Sequence, residues 1–466
     1  MTSTSEPGRG RAPNDSQSAD VVVIGTGPGG EALALEAARA GLEVVAVEKH
    51  LVGGECPYYG CIPSKMMLRA AETLAEAKRA QLMAGHIDVL PQWAPVARRI
   101  SEEATSGWSD AAAVERLEQA GATVIHGSGR LAGPHQVRVG LPDGRELRYT
   151  ARTGIVLNPG TRPAIPLIEG LADTPFWTSR DAVQTRELPQ SLVILGGGSV
   201  AVELGQVFAR FGVSVTILER GPLLLKNEEP EASVAISEAL KADGIRVLFD
   251  AETVIVRHDT RFMLTLADGS QLETEQLLVA TGRVPNLEPL GLETVGVPTT
   301  DLIIGDDLRI GDRLWLVGDV TGMGAFTHVS MHQSAIVRRQ ILGQRALPVA
   351  SHSVPHVTFT DPEVGGVGLT EQAARASGLQ LATRSADLGS RGFTHGPAAA
   401  GGFVKLVVDT DREVLVGATV VGPAAGEVLS MLTLAVHAEI PIETLQSMIY
   451  AYPTFHRAVG AAVAQL

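Results

Sequence analysis

The chain of 466 residues has two cysteines, and they stand close together in the run Gly53-Gly54-Glu55-Cys56-Pro57-Tyr58-Tyr59-Gly60-Cys61-Ile62-Pro63-Ser64-Lys65. A reducing compartment offers little structural use for a lone close pair of thiols, so the pair points to chemistry. The Ile-Pro-Ser-Lys that follows leads into an apolar helix. That places Cys61 at a helix N-terminus, where the backbone dipole favours a thiolate and hence a reactive sulfur. A redox-active dithiol/disulfide is expected. The alternatives are two inert buried cysteines or half of a metal site. Zinc is disfavoured because no second cysteine pair completes a tetrahedral thiolate set, and no metal is expected.

The elements around this pair are built for nucleotides. Asp20 to Ile24 is a short β-branched run of the buried parallel-strand type, followed at once by Gly25-Thr26-Gly27-Pro28-Gly29-Gly30. A helical segment runs to Ala40 and stops at Gly41; Leu42 to Val47 then reads as a strand, ended by Glu48. Strand, glycine turn, helix, strand and acid form a dinucleotide fingerprint: the glycines admit a pyrophosphate to the helix N-terminus and Glu48 accepts from a ribose. The pattern returns in Leu192 to Leu195, Gly196-Gly197-Gly198-Ser199-Val200-Ala201, a helix to Phe211, Val213 to Leu218, and Glu219. Gly25 to Glu48 and Gly196 to Glu219 have the same spacing, which implies two dinucleotide sites in one chain. Two nucleotides and a disulfide define an electron path between nicotinamide, flavin and sulfur. Glu219 favours NAD(H), because a carboxylate repels a 2′-phosphate; Arg220 and Lys226 could soften that preference.

The remainder is less specific. Leu82 to Ala120 reads as helical and amphipathic, and Gly121 to Ala151 as short strands around a Pro142-Asp143-Gly144 turn. Met66 and Met67 read as core filler. Leu314 to Val320 reads as a strand ending in Gly318-Asp319; taken alone, Asp319 would be a turn or N-cap residue. From about Ala350, Val354 to Phe359, Gly402 to Val408 and Glu413 to Val421 read as antiparallel strands of a separate α+β domain. Residues 1–18 are polar and rich in Ser, Pro and Gly, the composition of a disordered tail. No apolar run approaches a membrane span, so a cytoplasmic protein is expected, and the net charge of −14 excludes nucleic acid as a partner.

Together, Gly25-x-Gly27-x-x-Gly30, Gly-Gly-x-Cys56-x4-Cys61-x-Pro-Ser-Lys65, Gly196-x-Gly198, Ala280-Thr281-Gly282, Gly318-Asp319 and Tyr452-Pro453-Thr454 make the chain resemble the flavoprotein pyridine nucleotide-disulfide oxidoreductases over residues 20 to 466. The resemblance implies an α/β fold with two Rossmann-like domains, for FAD and NAD(P), and a C-terminal α+β dimerisation domain. The expected division is 19–163 (FAD, first part), 164–282 (NAD(P)), 283–349 (FAD, second part) and 350–466 (interface). It implies that Cys61 is the charge-transfer thiol against the flavin and Cys56 the interchange thiol. Lys65 would lie near flavin N5 with Glu203 beside it, Glu48 at the adenosine ribose and Asp319 at the ribityl chain. The residues expected around the two cofactors are Gly25, Gly27, Pro28, Gly30, Glu48, Lys49, Gly54, Glu55, Gly160, Gly196, Gly198, Ser199, Val200, Glu203, Glu219, Arg220, Gly282, Arg283, Gly318, Asp319, Ala325 and Thr327. A homodimer sharing its active site across the interface is also implied.

Departures from the family pattern bear on the acceptor. The family's C-terminal His-Pro-Thr-x-x-Glu is replaced, with Tyr452 at the His position and Arg457 at the Glu position. A phenol is a poor proton acceptor at neutral pH. His456 reads as a surface or structural histidine. Glu55 replaces a Thr, Pro57-Tyr58-Tyr59 makes the segment between the cysteines bulkier, Ser199 replaces a gating Tyr, and Asn158-Pro159-Gly160 replaces Ala-Thr-Gly. The C-terminal cysteine pair of mercuric reductases is missing. The expected activity is transfer from NAD(P)H through FAD and Cys56–Cys61 to a small-molecule disulfide or quinone-like acceptor. The alternatives are a dithiol oxidase running in reverse, or a flavoprotein binding module with a degenerate cycle.

Overall fold

The computed structural model describes residues 16–300, 302–345 and 349–466. The chain divides into two compact units. The first comprises Met1–Cys56, Ser109–Thr161 and Pro285–Val349; the second comprises Pro57–Trp108, Arg162–Val284 and Ala350–Leu466. Of the tail expected over 1–18, residues 1–15 lie outside the described residues, and Gln17 and Ser18 already belong to the first strand, β1 (Gln17–Ile24).

The first unit is organised on β1, α1 (Pro28–Arg39) and β2 (Val44–Glu48). β2 is buried throughout, as the β-branched run requires of a parallel strand covered on both faces. β1 pairs in parallel with β2 on one side and with the strand Glu146–Leu157 on the other. Beyond these lie Thr123–His126 and Leu314–Leu316, also parallel. The chain therefore leaves β1 in opposite directions, and the ends of β1 and Glu146–Leu157 form a topological switch point, the position at which open α/β sheets bind ligands.

The second unit repeats the plan and adds to it. Its parallel sheet runs Arg246–Leu248, Ser214–Leu218, Ser191–Leu195, Gln276–Val279. A three-stranded antiparallel sheet follows in sequence over 253–274. The C-terminal segment forms a five-stranded antiparallel sheet. Two of its strands, Glu363–Gly368 and Leu381–Asp387, were not anticipated from the sequence. After the short helix α2 (Glu55–Tyr58) comes α3 (Cys61–Arg79), which belongs to this unit. Met67, Leu68, Ala71 and Ala75 are its buried stripe, spaced to one helical face, and the first three share a core with Val202 and Phe208 of the helix Ser199–Arg210.

The helix expected over Leu82 to Ala120 is corrected. Residues 83–93 are not helical; a helix runs Ala94–Arg99, a wider π turn follows to Ala104, and a second helix spans Ala111–Gln119. Pro91, Pro95 and Gly107 interrupt the periodicity, and Pro95 sits in a first turn, where its missing N–H costs nothing.

Candidate active site

In the first unit the expected residues gather at the switch point. Gly25 has φ +88°, and a Cβ there would collide with the Asn158 carbonyl, so only glycine lets β1 turn this closely beneath its neighbour. Gly27 caps α1 with no side-chain hydrogen bond, and Pro28 occupies the first turn. The Glu48 carboxylate is buried. Its Oε2 accepts from Thr26 N–H at 2.8 Å and Thr26 Oγ1 at 3.0 Å, and its Oε1 accepts from His50 N–H at 2.8 Å. Each oxygen has two lone pairs, so Oε1 keeps one for a ribose hydroxyl. Lys49 beside it is exposed. Gly53 N–H donates to Thr26 O, and a Cβ on Gly54 would lie 2.7 Å from Gly27 Cα. The segment leading to Cys56 is thus laid directly against the glycine turn, and Glu55 opens α2. Asp319 follows Gly318 at the end of Leu314–Leu316, and its Oδ2 accepts from Thr161 Oγ1 at 3.3 Å, one residue after Gly160. Thr327 opens the helix Thr327–Ile341 and Ala325 lies exposed just before it.

In the sequence Asn158 is only a departure from the family pattern, yet it joins these pieces. Its Oδ1 accepts from Gly30 N–H at 2.9 Å and its Nδ2 donates to the Val317 carbonyl at 2.7 Å, both bonds buried. A polar residue at the end of a buried strand was the signal available.

In the second unit the same architecture returns with a more open mouth. Gly196 has φ +104°, and a Cβ would lie 2.5 Å from Ala280 O, the counterpart of the Gly25–Asn158 approach. Gly198, Ser199 and Val200 are exposed at the start of Ser199–Arg210, and no side chain caps that helix. Its first N–H groups therefore suit a pyrophosphate. Glu219 Oε1 accepts from Gly221 N–H at 2.7 Å, repeating the Glu48–His50 bond. The first unit has Thr26 on the other carboxylate oxygen; here the position is Gly197, which has no hydroxyl. Arg220, Gly282 and Arg283 are exposed.

Cys56 and Cys61 are joined as a disulfide, and Cys61 is the first residue of α3. One turn on, Lys65 Nζ lies 3.0 Å from Glu203 Oε2. Glu203 is buried, and its Oε1 accepts from Phe359 N–H at 2.8 Å. The Lys65 ammonium also lies 4.7 Å from the Phe359 ring centroid, a cation–π distance. Tyr452 is set apart from this arrangement. It is 71% exposed, in the turn before the helix His456–Val463, and has no hydrogen-bond partner among the described residues.

Two glycine-turn nucleotide folds and a disulfide at the head of a helix define a two-nucleotide disulfide oxidoreductase. Residues 19–335 match the model of the pyridine nucleotide-disulphide oxidoreductases and residues 354–463 match that family's dimerisation domain; the chain belongs to this family and is an FAD-dependent enzyme that uses NAD(P)H. Mercuric reductase from Acidithiobacillus ferrooxidans is 33% identical over 449 residues, 95% of this chain and 81% of its own length. Dihydrolipoyl dehydrogenase from Chlorobaculum tepidum is 32% identical over 455 residues, 95% of this chain and 96% of its own. Among solved structures, the HOCl-induced flavoprotein disulfide reductase RclA from Escherichia coli superposes with a TM-score of 0.82 at 27% identity, covering 96% of this chain and 99% of that one. LpdA from Mycobacterium tuberculosis, at 24% identity and a TM-score of 0.85 over 96% of this chain and 99% of that one, shares the fold. Among the described residues no helix is long and apolar enough to cross a membrane.

Proposed function

We propose that the enzyme moves two electrons from NADH to the Cys56–Cys61 disulfide and from the dithiol to a small-molecule acceptor, a disulfide or, preferably, a quinone-like compound. The observation that carries the reading is one helix: α3 begins at Cys61 and presents Lys65 to Glu203, which stands on the helix opened by the second glycine turn. FAD is assigned to the first unit, on Gly25, Gly27, Gly30, Glu48 and Asp319. The nicotinamide nucleotide is assigned to Gly196, Gly198, Ser199 and Glu219, with NADH preferred because Glu219 keeps an oxygen that no hydroxyl occupies. When bound, NADH supplies a hydride and FAD relays its two electrons to sulfur.

Two electrons break the Cys56–Cys61 bond. With one proton taken up, Cys56 becomes a thiol and Cys61 a thiolate, held by the N-terminus of α3. Against a disulfide, Cys56 loses its proton, attacks one sulfur and forms a mixed disulfide, expelling the first thiolate. Cys61 then attacks Cys56, re-forms the bond and expels the second, and both leaving groups take protons. Tyr452 offers those leaving groups no imidazole. Acceptors whose reduction expels no thiolate avoid that step, which favours the quinone-like class. Pairing through residues 354–463 would make a homodimer, and a cycling dithiol suits the cytoplasm.

The test is turnover of a panel of disulfides and quinones with NADH and NADPH, by the parent enzyme and by Cys56→Ser. The variant should lose turnover of both classes, because both draw their electrons from the dithiol. A parent enzyme that reduces neither class, or a variant with undiminished disulfide turnover, would refute the assignment. Tyr452→His should raise disulfide turnover if a missing proton acceptor limits it; no gain removes that argument.

A further inference from the structure

Three side chains on one face of the helix Ser199–Arg210 converge on a short segment far away in sequence. Glu203 Oε1 accepts from Phe359 N–H. Gln206 accepts from Asp361 N–H at 2.8 Å and donates to the Asp361 carbonyl at 3.0 Å. Arg210 donates to Asp361 Oδ2 at 2.8 Å and, through Nε, to Asp243 at 2.9 Å. From the far end of α3, Arg79 donates to the same Asp361 oxygen at 2.8 Å. Gln206, Arg210 and Thr360 are buried. The segment Phe359-Thr360-Asp361 is therefore tied to the two helices that carry Lys65 and Glu203.

A strut between helices would need only the ion pairs at Asp361. Phe359 does more, because both of its contacts fall on the Lys65–Glu203 pair. Its N–H holds the Glu203 oxygen that Lys65 does not use, and its ring lies under the Lys65 ammonium. Both contacts depend on where the Phe359 backbone sits, and two residues later that backbone is fixed by Asp361.

We infer that Asp361 is a positioning residue of this enzyme, which acts through Phe359 to hold the Lys65–Glu203 pair in its working geometry. The inference rests on the reading that this pair serves the reaction. The experiment compares holoenzyme carrying Asp361→Asn with the parent, and adds Phe359→Leu, which keeps the backbone donor and loses the ring. Three quantities are read: the pH profile of NADH-dependent turnover, KM for NADH, and the equilibrium of the Cys56–Cys61 couple in dithiothreitol buffers, followed by thiol alkylation. Asp361→Asn should lower kcat about tenfold with KM within about twofold, and should move the acidic limb of the profile by about one pH unit as the Lys65–Glu203 pair is displaced. It should also change the dithiol equilibrium about threefold as the Lys65 ammonium shifts beside the start of α3. Phe359→Leu should move the limb and the dithiol equilibrium in the same directions by less.

A strut would alter melting temperature and leave profile and equilibrium unmoved; that result in Asp361→Asn overturns the inference. If Asp361→Asn does not fold, Phe359→Leu decides, and a parental profile and equilibrium there overturn it equally. Reduction of Cys56–Cys61 by NADH in the parent tests the underlying reading separately, so its failure is distinguishable from failure of the positioning role.

Discussion

Asn158→Ala is the change that tests most directly how the first nucleotide site is held. Asn158 follows the strand Glu146–Leu157 as Ala280 follows Gln276–Val279, so the second unit shows the same turn with a methyl in place of an amide. The amide spans two elements, accepting from Gly30 N–H in the first turn of α1 and donating to the carbonyl of Val317, one residue before Gly318-Asp319. Alanine strands both partners in a region where Gly30 and Val317 are buried. A buried polar group left unpaired costs about 1–3 kcal/mol, so the pair costs roughly 2–5 kcal/mol, less if water enters the vacated space. For a body of this size about 1 kcal/mol moves the midpoint by roughly 2–4 °C, so the melting transition that FAD shifts should fall by about 5–15 °C. FAD should also dissociate more readily, because the loosened elements are the α1 turn and the Asp319 strand end. The assays are calorimetry of FAD-free and FAD-loaded protein and fluorescence titration of FAD. Asn158→Asp sharpens the test. It keeps the acceptor for Gly30 and sets a carboxylate oxygen against the Val317 carbonyl, so it should be no better than alanine. An Asn158→Ala protein that melts within about 1 °C of the parent and binds FAD as tightly would refute the reasoning.

Further perturbations follow from the same geometry. Glu219→Ala should raise the NADPH-to-NADH ratio of kcat/KM by about ten- to a hundredfold, the scale of a lost charge repulsion, as read from steady-state kinetics with both nucleotides. At His356, burial lowers the pKa but the Glu228 carboxylate 2.9 Å away outweighs it, so the folded value stands above the ordinary 6.5. That stabilisation is complete below about pH 6.5 and is lost as pH rises through the folded value; melting temperature should fall across this window in the parent and much less in Glu228→Gln. Lys405 is buried and meets Glu229 at 3.0 Å, Glu231 at 2.8 Å and Glu371 at 3.1 Å. Lys405→Met leaves the buried Glu229 carboxylate without its cation and should cost about 3–5 kcal/mol in denaturant unfolding.

What the sequence made legible was the chemistry encoded locally. Each fingerprint lies within one strand–turn–helix–strand unit, so glycine spacing and a terminal acid announce it without knowledge of anything distant. The dithiol was equally plain, because its signal is two residues and a helix start. The pairing of Lys65 with Glu203 was available only through family resemblance, since 138 residues separate them and neither has a local reason to find the other. The misread helix over Leu82 to Ala120 shows the opposite failure: amphipathic periodicity persisted across prolines and glycines whose backbone demands outweighed it. Asn158 is the instructive case. By itself it was an oddity in a Gly/Pro turn; only the parallel strand order, which brings the ends of β1, Glu146–Leu157 and Leu314–Leu316 side by side, gives its amide two partners. Phe359 goes further, because what it contributes to Glu203 is a backbone N–H, which every residue but proline possesses. A donor of that kind leaves no mark in composition or spacing. Its significance comes from the anchoring of Asp361, which holds that otherwise ordinary amide where a carboxylate needs it.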